Sequence, residues 1–453
     1  MTRYHKNMYH ANMYDAAAPA GSYWEDDAPP LSAGTDLGPL SGDTICDVAV
    51  IGGGYTGLSA AYHLARDHHI DVALLESGPL GWGASGRNGG FCSLPPMSLT
   101  YTQLIKRYGL DEARRFMASQ VEAVELVANL SADEGFDIAR QGGGTMHVAH
   151  APGRFAELVE EAEILSKTFG LSVELFSREA FAEQFYDSTE QFGALHNKLG
   201  FGLHPLRFAR GLAAAAARAG ARLHGRSEVI AWEKTGNEHR LITSSGTLRA
   251  RRVIIATNGF TKSSLQKNLA DRLIPVLSNI IVTRPLTADE LEAQKWKTEL
   301  PCSNTRRLLY YYRMLPDHRF LFGARGDLTG SPEDGIAMRA QMEKQMGTVF
   351  PHWKDVETTH YWRGFVCMTS RLTPAIGEMP DDKSVHFALA YHGDGVACAP
   401  WAGRALANLI ANKISFAEIP APFLGIPPII PFPSLRRWYL RAALGYYHFQ
   451  DKQ

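Results

Sequence analysis

The spacing of hydrophobic and polar positions predicts a βαβ unit that follows an irregular start. Prolines and glycines interrupt the first 40 residues, which have few periodic apolar positions, so we interpret 1–40 as an N-terminal arm. Residues 47–51 form a short apolar run that predicts a buried strand, and 58–65 have apolar positions three and four residues apart, as in a helix. Residues 72–75 are the next apolar run. Strand, helix and strand within about 30 residues predict a parallel sheet.

Helical and strand-like patterns alternate through the rest of the chain. Helices are predicted at 101–130, 155–169, 208–219, 337–346 and 399–411. Strands are predicted at 136–149 around the glycines 142–144, at 229–232, 240–243 and 253–256, at 273–284 and 308–322, and at 387–390. The pattern favours the α/β class for a Rossmann-type domain, with an α+β second domain built on an antiparallel sheet.

We divide the chain into four parts on these patterns. The arm covers 1–40, the discontinuous cofactor domain covers 41–135, 195–262 and 360–415, the substrate domain covers 136–194 and 263–359, and a C-terminal strap covers 416–453.

Composition excludes several classes of protein. Lys plus Arg (46) balances Asp plus Glu (47), so a nucleic-acid partner is not expected. The five cysteines are scattered, without a CxxC pair or Cys/His cluster, and they predict neither disulfides nor a metal site. Without a secretory signal or an apolar run near the roughly 18 residues that span a bilayer, we expect a cytoplasmic enzyme with no membrane partner.

A glycine motif marks the predicted turn between the first strand and helix. Gly52, Gly54 and Gly57 fit G-x-G-x-x-G, and Glu76 follows at the end of the second strand. In such a turn the glycines allow a tight bend, close approach of a pyrophosphate and packing of the helix on the sheet. The acidic residue accepts hydrogen bonds from a ribose. This context favours a dinucleotide site over a glycine turn without a ligand.

A second glycine-rich loop, 81–90, follows shortly afterwards. Its glycines expose backbone N–H groups, and Ser85, Arg87 and Asn88 add side-chain donors. The loop suits a second phosphate or the edge of a flavin. A flexible connector is the alternative.

The 84–90 run Ala-Ser-Gly-Arg-Asn-Gly-Gly resembles the D-amino-acid oxidase and glycine oxidase superfamily of FAD-dependent oxidoreductases, and most closely its gamma-glutamylputrescine oxidase branch. Residues 22–24, 253–259, 362–364, 373–377 and 391–396 are also similar to segments of this superfamily. The resemblance implies FAD as cofactor. Together with the motifs it assigns cofactor contacts to Gly52, Gly54, Tyr55, Thr56, Gly57, Glu76, Ser77, Gly83, Ala84, Ser85, Arg87, Asn88, Gly89, Gly90, Val229, Ala256, Thr257, Gly259, Gly377, Gly393, Asp394, Gly395 and Val396.

The sequence departs from some relatives at two points. Sarcosine oxidase relatives bind their flavin covalently to a cysteine, but Gly364 occupies that position here and Cys367 lies beyond it, so we expect non-covalent FAD. The same relatives use a lysine to activate oxygen, and the comparable stretch 317–323 contains none. A dehydrogenase that passes electrons to another acceptor therefore stays open.

The resemblance implies oxidation of a primary or secondary amine, such as a polyamine derivative or an amino acid. Hydride would pass to flavin N5, the imine would hydrolyse, and O2 would reoxidise the flavin to give H2O2. Alternatives are an amine or amino-acid dehydrogenase, a flavin monooxygenase with the same first βαβ unit, and a flavin-bearing protein without enzymatic activity.

The catalytic residues are not identified by the sequence. Tyr311, Trp362 and His392 are candidates for the substrate pocket, and core packing is the alternative for each of them. Residues 310–313 alternate along a strand, so Tyr311 and Arg313 would share one face as an aromatic wall with an arginine for a carboxylate-bearing amine. The strap, with its prolines and arginines, is expected to pack on the domain surface; an interfacial membrane helix is the alternative.

Overall fold

The computed structural model describes residues 8–94 and 99–451. The first seven residues of the predicted arm, four residues of the cofactor domain and the last two of the strap therefore lie outside the described residues. The α-helices are α1 (Tyr23–Asp27), α2 (Tyr55–His68), α3 (Tyr101–Tyr108), α4 (Leu110–Asp133), α5 (Phe155–Phe169), α6 (Arg178–Gln184), α7 (Pro205–Arg218), α8 (Ser263–Ala270), α9 (Ala288–Ala293), α10 (Pro332–Val349), α11 (Gly395–Ile410) and α12 (Arg436–Gln450).

The strands form two large sheets and one small pair. They are β1 (Gly42–Ile51), β2 (Val72–Leu75), β3 (Phe91–Cys92), β4 (Thr145–Val148), β5 (Val173–Phe176), β6 (Ala194–Asn197), β7 (Phe201–Gly202), β8 (Arg222–His224), β9 (Ala231–Thr235), β10 (Glu238–Ile242), β11 (Gly246–Ile255), β12 (Ile274–Pro285), β13 (Cys302–Asn304), β14 (Tyr310–Met314), β15 (Arg319–Arg325), β16 (Thr358–Met368), β17 (Ala375–Met379) and β18 (Asp382–Leu389).

The first sheet has the order β17-β18-β11-β1-β2-β8, with β10 and β9 attached beside β11. Strands β18, β11, β1, β2 and β8 are parallel, as the predicted βαβ unit requires. In β1, Val48 and Val50 face the core beneath α2, whereas Ala49 and Ile51 face the core on the opposite side. Both faces of the strand are therefore buried, which explains its continuous apolar run.

The second sheet has the order β16-β12-β15-β14-β13-β4-β6-β5. Its strands are antiparallel except for the parallel pair β13–β4. One face packs on α10 through an aromatic and methionine core that includes Tyr312, Phe320 and Met342. The fold class predicted from the sequence, a Rossmann-type domain with a second domain on an antiparallel sheet, is confirmed.

Several local predictions need correction. Residues 136–144 form no strand, because positive φ angles at Ala139, Gly142 and Gly144 bend the chain before β4 begins. The predicted helix at 101–130 is two helices that break at Gly109, whose φ is +86°. Strands β6 and β16 belong to the second sheet, so the proposed domain boundaries at 195 and 360 fall inside strands of that sheet.

The described part of the N-terminal arm and helix α12 of the strap are packed together on the second sheet. Tyr9 and Met13 of the arm share a buried cluster with Leu440 of α12 and with Leu277 and Phe365 of the sheet. The strap thus packs on the protein, as predicted, through one side of α12. None of the helices in the described ranges is both long enough and apolar enough to cross a bilayer.

Replacing Gly403 by alanine is expected to destabilise the first domain. A Cβ at Gly403 of α11 would lie 2.3 Å from the carbonyl oxygen of Thr56 and 2.8 Å from the amide nitrogen of Ala60 in α2. Overpacking of this kind costs about 1–3 kcal/mol, and the melting temperature measured by circular dichroism should fall by several degrees.

The control is Gly445→Ala in α12, where a Cβ meets nothing within 4 Å. Alanine is favoured over glycine in a helix by about 1 kcal/mol, so this variant should melt at the same temperature or slightly higher. Equal melting temperatures for the two variants would contradict the tight α2–α11 contact.

Candidate active site

The loop between β1 and α2 brings separate backbone segments into close contact. Gly52 has a φ of +112°, and a Cβ there would lie 2.7 Å from the carbonyl oxygen of Ala256. A Cβ on Gly57 would lie 1.9 Å from the carbonyl oxygen of Gly52. Gly54 caps α2 without a side-chain hydrogen bond. The turn is therefore compact, and the N-terminus of α2 is directed towards a space that suits a phosphate.

Glu76 is held at the end of β2 by three hydrogen bonds. Its Oε2 accepts from the N–H of Gly53 at 2.5 Å, and its Oε1 accepts from the N–H of Gly78 and the hydroxyl of Ser77, each at 3.0 Å. Burial raises the pKa of Glu76, and these hydrogen bonds oppose the rise. The carboxylate lines the cavity next to the glycine turn.

Polar side chains of the 81–90 loop mainly fix the loop itself. Ser85 Oγ accepts from the N–H of Tyr55 at 2.9 Å and so connects the loop to the start of α2. The Asn88 amide nitrogen donates to the carbonyl oxygen of Ala84 at 3.1 Å, and its Oδ1 accepts from the N–H of Gly90 at 2.8 Å. The loop is thus preorganised rather than a flexible connector.

Arg87 is buried between this loop and β16. Its Nε donates to the carbonyl oxygen of Trp82 at 2.8 Å, and its guanidinium lies 4.3 Å from the centroid of the Trp82 ring. Burial lowers the pKa of Arg87 to about 10, so the group stays protonated near neutral pH. It places a positive charge in the cavity wall.

The 391–396 segment connects β18 to α11. Tyr391 and Thr56 share a hydrogen bond of 2.6 Å between their hydroxyl groups, which joins this segment to the glycine turn. Gly393 has a φ of +106°, and Gly395 is the first residue of α11. The N-terminus of α11 therefore adds a second positive helix end to the cavity.

One cavity of about 310 Å³ joins these segments. The predicted cofactor residues that line it are Gly52, Gly54, Tyr55, Thr56, Glu76, Ser77, Gly83, Ala84, Ser85, Arg87, Asn88, Gly89, Val229, Ala256, Thr257, Gly393, Gly395 and Val396. The predicted cofactor residues that lie behind its wall are Gly57, Gly90, Gly259, Gly377 and Asp394. The four glycines of this second set serve packing: a Cβ on each would lie 3.1 Å or less from a neighbouring atom.

Asp394 is buried and does not line the cavity. Its Oδ1 has no hydrogen-bond partner in the part of the chain that the structure describes. Burial raises its pKa well above the usual range. It contributes to the core at the start of α11, close to Tyr101 and Cys398.

On the substrate side, β14 has the alternation that the sequence predicted. Tyr311 lines the cavity, and its hydroxyl lies 2.8 Å from Ser278 Oγ of β12. Tyr312 faces the opposite core, where its hydroxyl lies 2.7 Å from that of Tyr186. Burial raises the pKa of Tyr311 to about 12, so its phenol is neutral and able to donate a hydrogen bond.

The arginine expected beside Tyr311 is a different residue from the one predicted. Arg313 lies behind the cavity wall, where it donates to the carbonyl oxygens of Gly89 at 3.0 Å and Leu203 at 2.6 Å. Arg325, at the end of β15, lines the cavity instead. It shares a face of β15 with Gly323, the residue opposite Tyr311. That alternation is the signal that would have identified it.

Trp362 and His392 differ in their placement. Trp362 lies behind the wall and not in it: its indole N–H donates to the carbonyl oxygen of Arg87 at 2.8 Å, and its ring packs on Trp24. His392 lines the cavity, and its Nε2 accepts from the N–H of Thr369 at 3.3 Å. Burial lowers the pKa of His392 to about 3, so its imidazole is neutral near neutral pH.

Cys367 lines the cavity from β16. Burial raises the pKa of its thiol to about 12, which disfavours the nucleophilic thiolate. The environment suits the prediction of non-covalent FAD.

The residues present fit FAD. The glycine turn, the N-terminus of α2 and Glu76 would hold the adenosine and phosphates. The same cavity continues past Gly83 and Gly89 to the α11 N-terminus and Tyr311. Along this path the glycines leave open the volume that side chains would fill.

Replacing Glu76 by alanine is expected to lower the content of FAD. The variant loses the ribose acceptor and leaves the Gly53 and Gly78 N–H groups without their partner. The ratio of flavin absorbance to protein absorbance after gel filtration measures the loss. Glu233→Ala, on exposed β9, is the control and should retain full FAD; equal retention in both would contradict the assigned role.

Comparison with known proteins agrees with this geometry. The family model for DAO, FAD dependent oxidoreductase, matches residues 47–409. Gamma-glutamylputrescine oxidoreductase of Escherichia coli (strain K12) is 31% identical over 416 residues, with coverage of 91% of this chain and 94% of the relative. Glycine oxidase of Bacillus subtilis (strain 168) is 24% identical over 373 residues, with coverage of 81% and 93%.

A solved structure has the same fold. Glycine oxidase from Geobacillus kaustophilus superposes with a TM-score of 0.69 at 23% identity, covering 86% of this chain and all of that one. The resemblance that the motifs indicated is confirmed, and with it the FAD cofactor. The chain belongs to the DAO family of FAD-dependent oxidoreductases.

Proposed function

We propose that this enzyme oxidises an amine that also carries a carboxylate, at a carbon bonded to the amine nitrogen. The observation that carries the proposal is the unpaired guanidinium of Arg325 among the described residues. This arginine lines the cavity beside Tyr311, and its guanidinium has no hydrogen bond or ion pair with any residue in the described ranges. A cation of this kind is poised to bind a carboxylate, which compensates for its lost hydration.

The relatives support this choice of substrate. Gamma-glutamylputrescine and glycine, the compounds in their names, each contain an amine and a carboxylate. Burial lowers the pKa of Arg325, because the charged form is desolvated, and a bound carboxylate would favour that charged form again.

The protein residues position the substrate and leave the proton chemistry to the amine itself. When bound, FAD supplies the acceptor for hydride from the carbon next to the nitrogen. Arg325 and Tyr311 would fix the carboxylate, and Ile280 and Leu195 contribute an apolar wall that limits access of water. Since His392 is neutral and engaged with Thr369, the substrate amine is expected to enter in its neutral form.

The electron acceptor is proposed to be O2, which gives H2O2. An amine dehydrogenase with another acceptor is the second candidate, and one observation favours it. Among the described residues that line the cavity, the one lysine is Lys262, which is paired with Glu228 next to Val229 and lies away from Tyr311. A comparison of H2O2 yield with dye reduction per substrate consumed distinguishes the two enzymes.

Amines with a carboxylate are expected to bleach the flavin of the anaerobic enzyme. The band near roughly 450 nm is a property of oxidised flavin and disappears on two-electron reduction. The measurement is a stopped-flow screen of amines and amino acids. Bleaching by NAD(P)H alone, with none by amines, would overturn the proposal and favour a monooxygenase.

Replacing Arg325 by leucine is expected to raise KM for carboxylate-bearing amines by roughly tenfold to a hundredfold, the effect of losing a charged hydrogen bond of about 1.5–3 kcal/mol. Arg325→Lys should recover part of the loss, and amines without a carboxylate should be little affected. Arg251→Leu removes an exposed arginine of β11 and serves as the control. Equal losses for both classes of amine would contradict carboxylate binding.

A further inference from the structure

The face of the second sheet that borders the cavity extends well beyond Tyr311. Across the sheet, Tyr311 of β14 lies opposite Ser303 of β13, Ser303 lies opposite His147 of β4, and His147 lies opposite Leu195 of β6. All four residues line the cavity. Neighbouring strands lie about 4.8 Å apart, so the backbone of β4 is about 14 Å, or three strand spacings, from that of β15, which carries Arg325.

Glu161 of α5 closes this distant part of the cavity together with His147. The Glu161 Oε2 lies 3.2 Å from His147 Nδ1, and the two side chains are 26% and 28% exposed. Burial alone would lower the pKa of His147, but the Glu161 carboxylate and the Asn304 backbone more than offset this effect and raise it. One carboxylate oxygen is therefore fixed by a hydrogen bond.

The second oxygen, Glu161 Oε1, has no hydrogen-bond donor in the described parts of the chain. Ser303 and Asn197 add a hydroxyl and an amide to the same end of the cavity. The other described carboxylates that line the cavity, Glu76 and Glu228, lie on the cofactor side. Glu161 is thus the acidic group that a ligand lying along the second sheet would meet.

We infer that Glu161 is a specificity-determining residue, the counter-ion for a second, cationic nitrogen of the substrate. This inference rests on the proposed function and deepens it. Arg325 and Glu161 have opposite charges at two ends of one elongated site, and the apolar and aromatic wall between them suits a methylene chain. A substrate with an amine at the flavin end and an ammonium several carbons away would satisfy Glu161, with His147 orienting the carboxylate.

The test compares two substrate series in the holoenzyme, both of which carry the carboxylate expected at Arg325: linear diamine derivatives, and monoamine derivatives of the same length in which a methyl group replaces the second ammonium. The wild-type enzyme is expected to have a kcat/KM at least tenfold higher for the diamine series. Glu161→Gln preserves shape but removes the charge, and it should lower kcat/KM for diamines by roughly tenfold to a hundredfold, mainly through KM, while monoamines change less than twofold.

Glu160→Gln is the matched control, because Glu160 is the neighbouring residue on α5 and faces solvent. A binding measurement adds a readout that does not depend on turnover. A bis(trimethylammonium) alkane has no nitrogen lone pair to assist hydride loss, and calorimetry should show about tenfold weaker binding to Glu161→Gln than to the wild type or to Glu160→Gln.

Different failures have different meanings. If no amine bleaches the flavin, the proposed function fails. If monoamines and diamines are oxidised equally well by the wild type, or if Glu161→Gln lowers both series alike, the Glu161 assignment is overturned and the amine oxidase assignment stands. If His147→Asn also lowers kcat/KM for diamines relative to monoamines, the role of His147 in orienting Glu161 is supported.

Discussion

The contact of α2 with the carboxyl ends of β1 and β11 is the constraint on which the cofactor site depends. Gly52 and Gly57 allow three backbone segments to approach within distances that no Cβ permits. This approach sets the direction of the α2 N-terminus and places Glu76 beside it. Gly403 of α11 likewise lies against the α2 backbone at a distance that leaves no room for a Cβ. Helix α11 is therefore fixed against α2. The two ends of the cofactor site are therefore positioned by a single packed unit.

Three arginines near the cavity, Arg87, Arg313 and Arg325, differ in whether the protein itself supplies a hydrogen-bond acceptor for the guanidinium. Arg87 and Arg313 donate to backbone carbonyl oxygens, which compensates for their lost hydration within the protein. Arg325 has no such acceptor among the described residues, although it is also desolvated. The contrast separates two structural arginines from one whose partner is expected to be a ligand. The location of the acceptors makes this distinction.

Local sequence patterns predicted individual helices and strands in both domains, but not which residues border the substrate side of the cavity. The strand at 72–75 and the helix at 155–169 agree residue for residue with β2 and α5, because short-range periodicity determines such elements. Most of the residues that the sequence assigns to the cofactor line one cavity. Arg313 was predicted beside Tyr311 from alternation within β14 alone, whereas Arg325 lies on the neighbouring strand β15 and is found only when the pairing of the two strands is also considered.

Glu161 was missed for a related reason. In the sequence, Glu161 is one of several glutamates on the polar face of α5. Its proximity to His147, which is 14 residues away along the chain, depends on how α5 packs over β4. Register between strands that are far apart in sequence has no local signal. The same limit applies to β13, whose parallel pairing with β4 completes the row from Tyr311 to His147.

Alternate side chains of a strand lie on opposite faces of the sheet, and in the second sheet this separates the residues that border the cavity from those of the core. In β14, Tyr311 borders the cavity and Tyr312 belongs to the core under α10. A substitution at a cavity-facing position therefore leaves the opposite core intact, whereas the cofactor turn tolerates no added atom at Gly52 or Gly57. Substrate preference is thus free to vary by exchange of alternate residues on one sheet face, while the backbone contacts that bind FAD stay fixed.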